Sequence, residues 1–141
     1  MQKKRGKKKM TISKEYVIEI PMKLPSLNEY INACRYNRYA GNSMKQKVQK
    51  DISIYLYSLP KLKHVKIDFE WFEGNKKRDL DNICFAKKFI LDALVNLGKL
   101  EDDNRRNVCA FTDSFYYGKE WKVILKISEV WYGRTKWMLF L

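Results

Sequence analysis

The sequence predicts a single α/β (α+β) domain in which a mixed β-sheet packs against helices. Three observations predict this class. The chain has 141 residues, 45% of them hydrophobic, which is enough for one buried core and too few for two. Residues 65–71 alternate strictly between apolar and polar side chains, as a half-buried strand does. An apolar stripe of helical period follows over residues 80–97, so a strand and a helix succeed each other along the chain.

A strand and a helix are predicted before residue 65. Residues 16–20 have the composition of a strand, and Pro21 follows them. Residues 26–40 show no clean period. A helix is predicted from a cap at Asn42 and Ser43 to about residue 59, because apolar residues recur there at four-residue spacing. These residues are Met44, Val48, Ile52 and Leu56.

Gly98 stands where a glycine that ends a helix belongs. Two more strands are predicted after it, over residues 107–111 and 121–127. Residues 130–141 show no clear pattern. We therefore divide the chain into a basic N-terminal arm (1–13) that we expect to be flexible, a central domain (14–129) and a C-terminal extension (130–141).

The charge of the chain favours a polyanionic partner. Lys and Arg number 29 against 16 Asp and Glu, which gives a net charge of +13. Six positive charges lie in residues 3–9, and the remaining chain still carries +7. The central domain is therefore basic in its own right, as nucleic-acid-binding proteins are. The arm itself is as typical of a solvated tail as of a DNA-binding segment.

Other compositional features exclude several classes. Cys34, Cys84 and Cys109 are odd in number and widely spaced, so they indicate neither a disulfide framework nor a zinc site. The basic N-terminus is not followed by the apolar run of a secretory signal. The apolar residues 137–141 are too few to span a bilayer. We expect a cytoplasmic protein without a membrane partner.

Acidic residues embedded in this basic chain form the candidate site. Asp79 and Asp81 follow the basic run 76–78 at the predicted start of a helix, and Asp103 comes 22 residues after Asp81. Aspartates at a helix start are commonly caps, because they accept hydrogen bonds from unpaired amides. A cap needs only one carboxylate, however, whereas carboxylates that converge in space hold Mg²⁺. From the residues alone, both interpretations stay open.

Three stretches in a fixed order resemble the RusA family of Holliday junction resolvases. They are Lys-Arg-Asp-Leu-Asp-Asn at 77–82, Leu-Asp-Ala-Leu at 91–94 and Glu-Asp-Asp at 101–103. In that family an Arg-Asp-x-Asp-Asn motif opens a helix, a stretch like Asp-Ala-Leu follows, and an acidic pair comes after it. The similarity extends through most of residues 16–127, including Pro-Ser-Leu-Asn at 25–28. A compound, ordered motif is far more specific than an isolated acidic pair.

The resemblance implies a RusA-like, dimeric nuclease, of a kind often encoded by phages or prophages. Such enzymes depend on Mg²⁺, for which we expect Mn²⁺ to substitute, and act as homodimers on branched DNA. They resolve four-way (Holliday) junctions by paired nicks. Carried onto this chain, the family's metal ligands and catalytic carboxylates are Asp79, Asp81 and Asp103.

The family also uses a catalytic lysine, usually four residues after the second motif aspartate, where this chain has Phe85. The spacing from Asp81 to Asp92 is three residues longer than usual. Counting back from Asp92 assigns the lysine's role to Lys88, and Lys87 is the alternative.

Seven cations are candidates for contacts with DNA phosphates. They are Lys76, Lys77, Arg78, Lys87, Arg35, Arg38 and Lys45. Two other functions stay open on the sequence. One is a nuclease that acts on other branched DNA, such as flaps or forks. The other is a DNA-binding module without catalysis, in which the carboxylates only cap and solvate.

Overall fold

The structure, a computed structural model, describes residues 11–131. The predictions for residues 1–10 and 132–141 lie outside the described residues. Within residues 11–131, four strands and four helices follow one another. They are β1 (Thr11–Ile20), α1 (Leu27–Tyr36), α2 (Arg38–Leu56), β2 (Val65–Glu73), α3 (Leu80–Cys84), α4 (Lys87–Asn96), β3 (Val108–Tyr117) and β4 (Lys122–Trp131).

The strands form one mixed sheet in the order β1-β4-β2-β3. β4 pairs antiparallel with both β1 and β2, whereas β2 and β3 run parallel. Parallel neighbours need a crossover connection, and here α3 and α4 supply it. The predicted α+β class with a mixed sheet is confirmed.

The core lies between one face of the sheet and the helices. The alternation predicted for residues 65–71 is confirmed and continues to Glu73, with every odd-numbered residue of β2 buried. Val48, Ile52 and Leu56 of α2 and Ile90, Ala93 and Leu94 of α4 pack against this face. No helix among residues 11–131 is both long and apolar enough to cross a membrane.

The first helical region begins earlier than predicted. Residues 26–40, which lack a clean period, form α1 and the start of α2. Ser26 caps α1 by accepting a hydrogen bond from the Glu29 amide. Asn37 caps α2, because its side-chain oxygen accepts hydrogen bonds from the amides of Tyr39 and Ala40 at 2.9 and 2.8 Å. Asn42, the predicted cap, lies inside α2. Local side-chain capping, rather than periodicity, sets both helix starts.

The single helix predicted over residues 80–97 is interrupted at Phe85 and Ala86. The amides of Lys88 and Phe89 donate to carbonyls three residues back, Phe85 and Ala86, at 3.0 Å each. This turn is therefore tighter than an α-helical one. Gly98 ends α4 as predicted, with φ of 71° and with the Lys99 amide bonded to the Leu94 carbonyl.

Strands β1 and β4 run beyond the predicted domain boundaries. β1 starts at Thr11, inside the segment assigned to the arm, and β4 continues to Trp131, past residue 129. β3 is also twice as long as predicted, because it continues to Tyr117. The pairing of β1 with β4 along their whole lengths explains the two extensions, since each strand supplies the other's hydrogen-bond partners.

Candidate active site

The loop that precedes the acidic motif is anchored by a buried ion pair. Arg78 donates two hydrogen bonds to the carboxylate of Glu73, from Nε at 2.6 Å and Nη2 at 2.8 Å. Its Nη1 also donates to the Leu24 carbonyl at 2.8 Å. Glu73 is only 6% exposed. A bidentate pair of this kind fixes geometry as well as charge, so it holds the backbone directly before Asp79.

The contact of Arg78 with DNA phosphate stays a prediction. In the structure its guanidinium is paired with Glu73, and its side chain is 13% exposed. Trp121 adds to the anchor, since its ring lies 5.4 Å from the Arg78 guanidinium and directly over Gly74. A Cβ at Gly74 would collide with that ring, which explains why the loop after β2 begins with glycine. We assign Arg78 to positioning the motif loop.

The two motif aspartates carry carboxylates that capping does not use. Asp79 holds the N-cap position of α3 but makes no side-chain capping hydrogen bond. Asp81 lies in the first turn of α3, and both residues are exposed. Their oxygens are ligands of the kind that Mg²⁺ prefers, and Mg²⁺ commonly takes one or two carboxylates together with substrate phosphate. The pair thus fits a magnesium site at the start of α3.

Asn82 connects the motif to the start of α1. Its side-chain oxygen accepts a hydrogen bond from the Asn28 amide at 3.0 Å. The Pro-Ser-Leu-Asn segment at 25–28 therefore lies beside the acidic motif, although 54 residues separate Asn28 from Asn82. The Asn82 side chain therefore satisfies an amide at the start of α1, rather than one at the start of its own helix, α3.

Lys88 lies between two carboxylates. Its Nζ is 3.3 Å from Asp103 Oδ2 and 3.2 Å from Asp92 Oδ1. The contact with Asp92, followed by that with Asp103, raises the pKa of Lys88 above its ordinary value, although partial burial opposes the shift. The side chain remains 53% exposed. Lys88 is therefore a fixed, accessible cation in contact with one of the predicted catalytic carboxylates.

The structure does not bring Asp103 together with Asp79 and Asp81. Among residues 11–131, no three His, Cys, Asp or Glu side chains group closely enough to hold a metal ion. Asp103 lies in the segment between α4 and β3, where Lys88 Nζ approaches its Oδ2 to 3.3 Å. Hydrogen bonds from the Leu62 amide to the Lys99 carbonyl and from the Val65 amide to the Asn107 carbonyl tie this segment to the residues at and just before the start of β2.

Lys87 has a different environment from its neighbour. Its Nζ lies 2.8 Å from Asp113 Oδ2, and its side chain is only 17% exposed. The amine also sits 5.1 Å from the ring centre of Phe69 and 4.6 Å from that of Phe111. Lys87 is thus held on the sheet by Asp113, and its contact with DNA stays a prediction.

Asp113 is a half-buried partner that the sequence does not reveal. It accepts hydrogen bonds from Lys87 and, at 2.8 Å, from the indole nitrogen of Trp71. Its position in β3 opposite Phe69 places it on the core side of the sheet. The strand predicted from the sequence ends at residue 111, before Asp113, and no motif marks this residue.

The other candidate cations divide into two groups. Lys45 lies 2.9 Å from Asp92 Oδ2 and so is partnered within the fold. Lys76 and Lys77 are exposed in the loop before the motif, where Lys76 lies over the ring of Tyr117 at 4.1 Å. Arg35 and Arg38 are exposed at the corner between α1 and α2. The last four stay available as phosphate contacts.

These features define a class. The domain is basic, and two carboxylates that make no capping hydrogen bond lie at a helix start beside exposed lysines. This arrangement is suited to phosphodiester chemistry on nucleic acid. The family model described as "Endodeoxyribonuclease RusA" matches residues 2–128, and the chain belongs to this family. No curated protein matches the chain. The family makes the protein a nuclease whose substrate is DNA, and its members typically resolve Holliday junctions.

Proposed function

We propose that the protein is a Mg²⁺-dependent, structure-selective endonuclease that resolves four-way DNA junctions by paired nicks. The observation that carries the metal dependence is the pair Asp79 and Asp81, whose carboxylates are exposed and not needed as caps. The Arg78–Glu73 pair fixes the loop that presents them. Bound Mg²⁺ would activate water and stabilise charge on the scissile phosphate.

Each residue has a separate role in this proposal. Asp79 and Asp81 hold the ion, and Asp103 is the third candidate ligand. Lys88 supplies positive charge to the phosphate or the leaving oxygen in the transition state. Lys76 and Lys77, in the loop before the motif, bind the DNA backbone. Contacts of this kind respond to the shape and phosphate positions of the junction rather than to base sequence.

Homodimerisation is part of the proposal. A four-way junction has two-fold symmetry, and a two-fold dimer presents equivalent sites to opposing strands. A plasmid with an extruded cruciform tests this directly. Two nicks in one binding event give linear product, whereas independent single nicks accumulate as open circles. Accumulation of open circles alone contradicts paired nicking.

The test of metal-dependent cleavage is Asp81→Asn. Asparagine keeps the size of the side chain and its capping ability but removes a charged ligand. We expect the variant to bind a synthetic four-way junction with parental affinity and to lose Mg²⁺-dependent nicking. Gel-shift and cleavage assays on the same junction measure the two properties. Duplex, flap and fork substrates in the same assay separate junction resolution from action on other branched DNA. Unchanged nicking by Asp81→Asn would refute the metal site, and the absence of nicking by the parental protein would favour a non-catalytic binding module.

A further inference from the structure

The acidic side chain of Asp92 lies between α2 and α4, in a stretch of α4 that is otherwise apolar and buried. Its neighbours in α4, Phe89, Ile90, Leu91, Ala93 and Leu94, are all buried in the core. Asp92 itself is only 14% exposed at its side chain. Lys45 of α2 approaches Oδ2 to 2.9 Å as an ion pair, yet this oxygen is buried and accepts no aligned hydrogen bond. Lys88 approaches the other oxygen to 3.2 Å.

Stability alone is a weak reason for a carboxylate at this position. Desolvation of a half-buried charge offsets much of its attraction to nearby cations, and well-packed apolar residues often serve a helix interface as well or better. The contact between Asp92 and Lys88 has a second consequence, which concerns the position of the lysine amine. A lysine amine on a flexible four-carbon stem loses side-chain entropy when it is held in one place. Contacts with Asp92 and Asp103 restrict the Lys88 amine from two sides.

Lys45 completes the arrangement. The contacts run in series from Lys45 to Asp92, from Asp92 to Lys88 and from Lys88 to Asp103. Because Lys45 shares the Asp92 carboxylate, Asp92 does not neutralise Lys88 completely. The Lys88 side chain also remains 53% exposed, so its amine is held but still accessible to a phosphate.

We infer that Asp92 is a positioning residue, which holds the amine of Lys88 where that lysine can stabilise the charge that develops on the scissile phosphate. The inference rests on the role proposed above for Lys88. Because the Asp92 side chain is only 14% exposed, its removal should affect the chemical step rather than the affinity for the junction.

A double-mutant cycle tests the inference. Turnover at saturating four-way junction with Mg²⁺ is measured for the parental protein, Asp92→Asn, Lys88→Ala and the double variant. If Asp92 acts through Lys88, each single change lowers turnover by about tenfold or more, and the double variant is no slower than Lys88→Ala. The dissociation constant for the junction stays within about twofold of the parental value in Asp92→Asn.

The control is Asn96→Ala, which removes a hydrogen bond between α4 and α2 without touching Lys88. Asn96 Nδ2 donates to Gln49 Oε1 at 2.7 Å. We expect this variant to keep parental turnover. Thermal unfolding of every variant reports the folded fraction. If Asp92→Asn does not fold, Asp92→Glu takes its place in the cycle. Glutamate keeps the charge but moves it by one methylene, and we again expect the effects of the two substitutions on turnover to be non-additive.

The possible outcomes are distinguishable. The inference is overturned if the fold losses in turnover caused by Asp92→Asn and Lys88→Ala multiply in the double variant, because Asp92 would then act independently of Lys88. Slow turnover in Lys88→Ala with normal turnover in Asp92→Asn also overturns it, while the proposed function stands. Parental turnover in Lys88→Ala removes the catalytic role of Lys88, and the inference falls with it.

Discussion

Two adjacent lysines at the start of α4 differ because their partners differ. Lys87 is held by Asp113 and lies against two aromatic rings, whereas Lys88 keeps an exposed amine beside Asp103. Neighbouring residues on a helix point in directions about 100° apart. The direction of each side chain, rather than the residue type, therefore decides which carboxylate each lysine meets.

We predict opposite effects for substitutions at these two lysines. Lys88→Ala should lower the cleavage rate by about an order of magnitude or more, as loss of a transition-state cation does. Lys87→Ala should instead lower the free energy of unfolding by about 2 kcal/mol, since it leaves the partly buried Asp113 without its cation. Single-turnover kinetics and urea unfolding measure the two quantities. A reversed pair, with Lys87 essential for cleavage and Lys88 dispensable, would contradict the assignment.

The Arg78–Glu73 pair gives a second prediction at the residue scale. Removing one partner of a buried ion pair costs about 3–5 kcal/mol, because the other charge stays buried and unpaired. We expect Arg78→Ala to fall in this range in urea unfolding. Lys126→Ala is a suitable control, because Lys126 pairs with Glu70 but is 41% exposed. Exposed pairs contribute about 1 kcal/mol or less. Similar small losses in both variants would show that Arg78 does not anchor the loop.

At the scale of elements, the interruption between α3 and α4 is the feature that matters most for the site. It falls between Asp81 and Asp92, where the resemblance to the RusA motif predicts three added residues. Phe85, at the position to which the motif spacing would assign the family's lysine, is half-buried. Its ring centre lies 5.4 Å from that of Tyr30 and 5.7 Å from that of Phe89. Phe85 thus belongs to the packing between α1 and α4.

Loss of this aromatic contact should destabilise the protein more than it alters catalysis. We predict that Phe85→Ala lowers the free energy of unfolding by about 2 kcal/mol, less than the ~3–5 kcal/mol of a fully buried phenylalanine. Cleavage per folded molecule should change little. Tyr36→Ala, at a residue that is 84% exposed, is the control for stability. A large loss of turnover without a loss of stability would place Phe85 in the active site instead.

At the scale of the whole molecule, charge is distributed unequally along the chain. Residues 3–9 carry six of the thirteen net positive charges. Each phosphate contact that a protein makes adds about 0.9 to the slope of log affinity against log salt concentration. The arm and the central domain should therefore contribute separately to that slope.

Deletion of residues 1–9 should weaken junction binding and flatten its salt dependence without abolishing turnover. Fluorescence anisotropy with labelled junction over a series of salt concentrations measures the slope for the deleted and full-length proteins. An unchanged slope would mean that the arm makes no phosphate contact. A deleted protein that binds normally but does not cut would assign the arm a part in catalysis.

The sequence by itself determined the class of fold, the family and the motif residues. The alternation in β2, the apolar stripe of α4 and the glycine after α4 are local patterns. Each could therefore be predicted from neighbouring residues alone and agrees with the structure. The start of α2 at Arg38 and the interruption at Phe85 could not be predicted in this way. The first depends on one side chain, Asn37, and the second occurs without a proline or glycine to mark it.

Only the tertiary structure decided how the charged residues pair. Arg78, Lys87 and Lys45 look like surface cations in the sequence, but each meets a carboxylate brought to it by folding. Glu73 comes from the end of β2, Asp113 from β3 and Asp92 from α4. Likewise, folding brings Asp103 to Lys88, and no three acidic side chains within residues 11–131 group closely enough to hold a metal ion. The sequence identifies which side chains can do the chemistry, whereas pairing depends on strand order and helix direction, which no local pattern encodes.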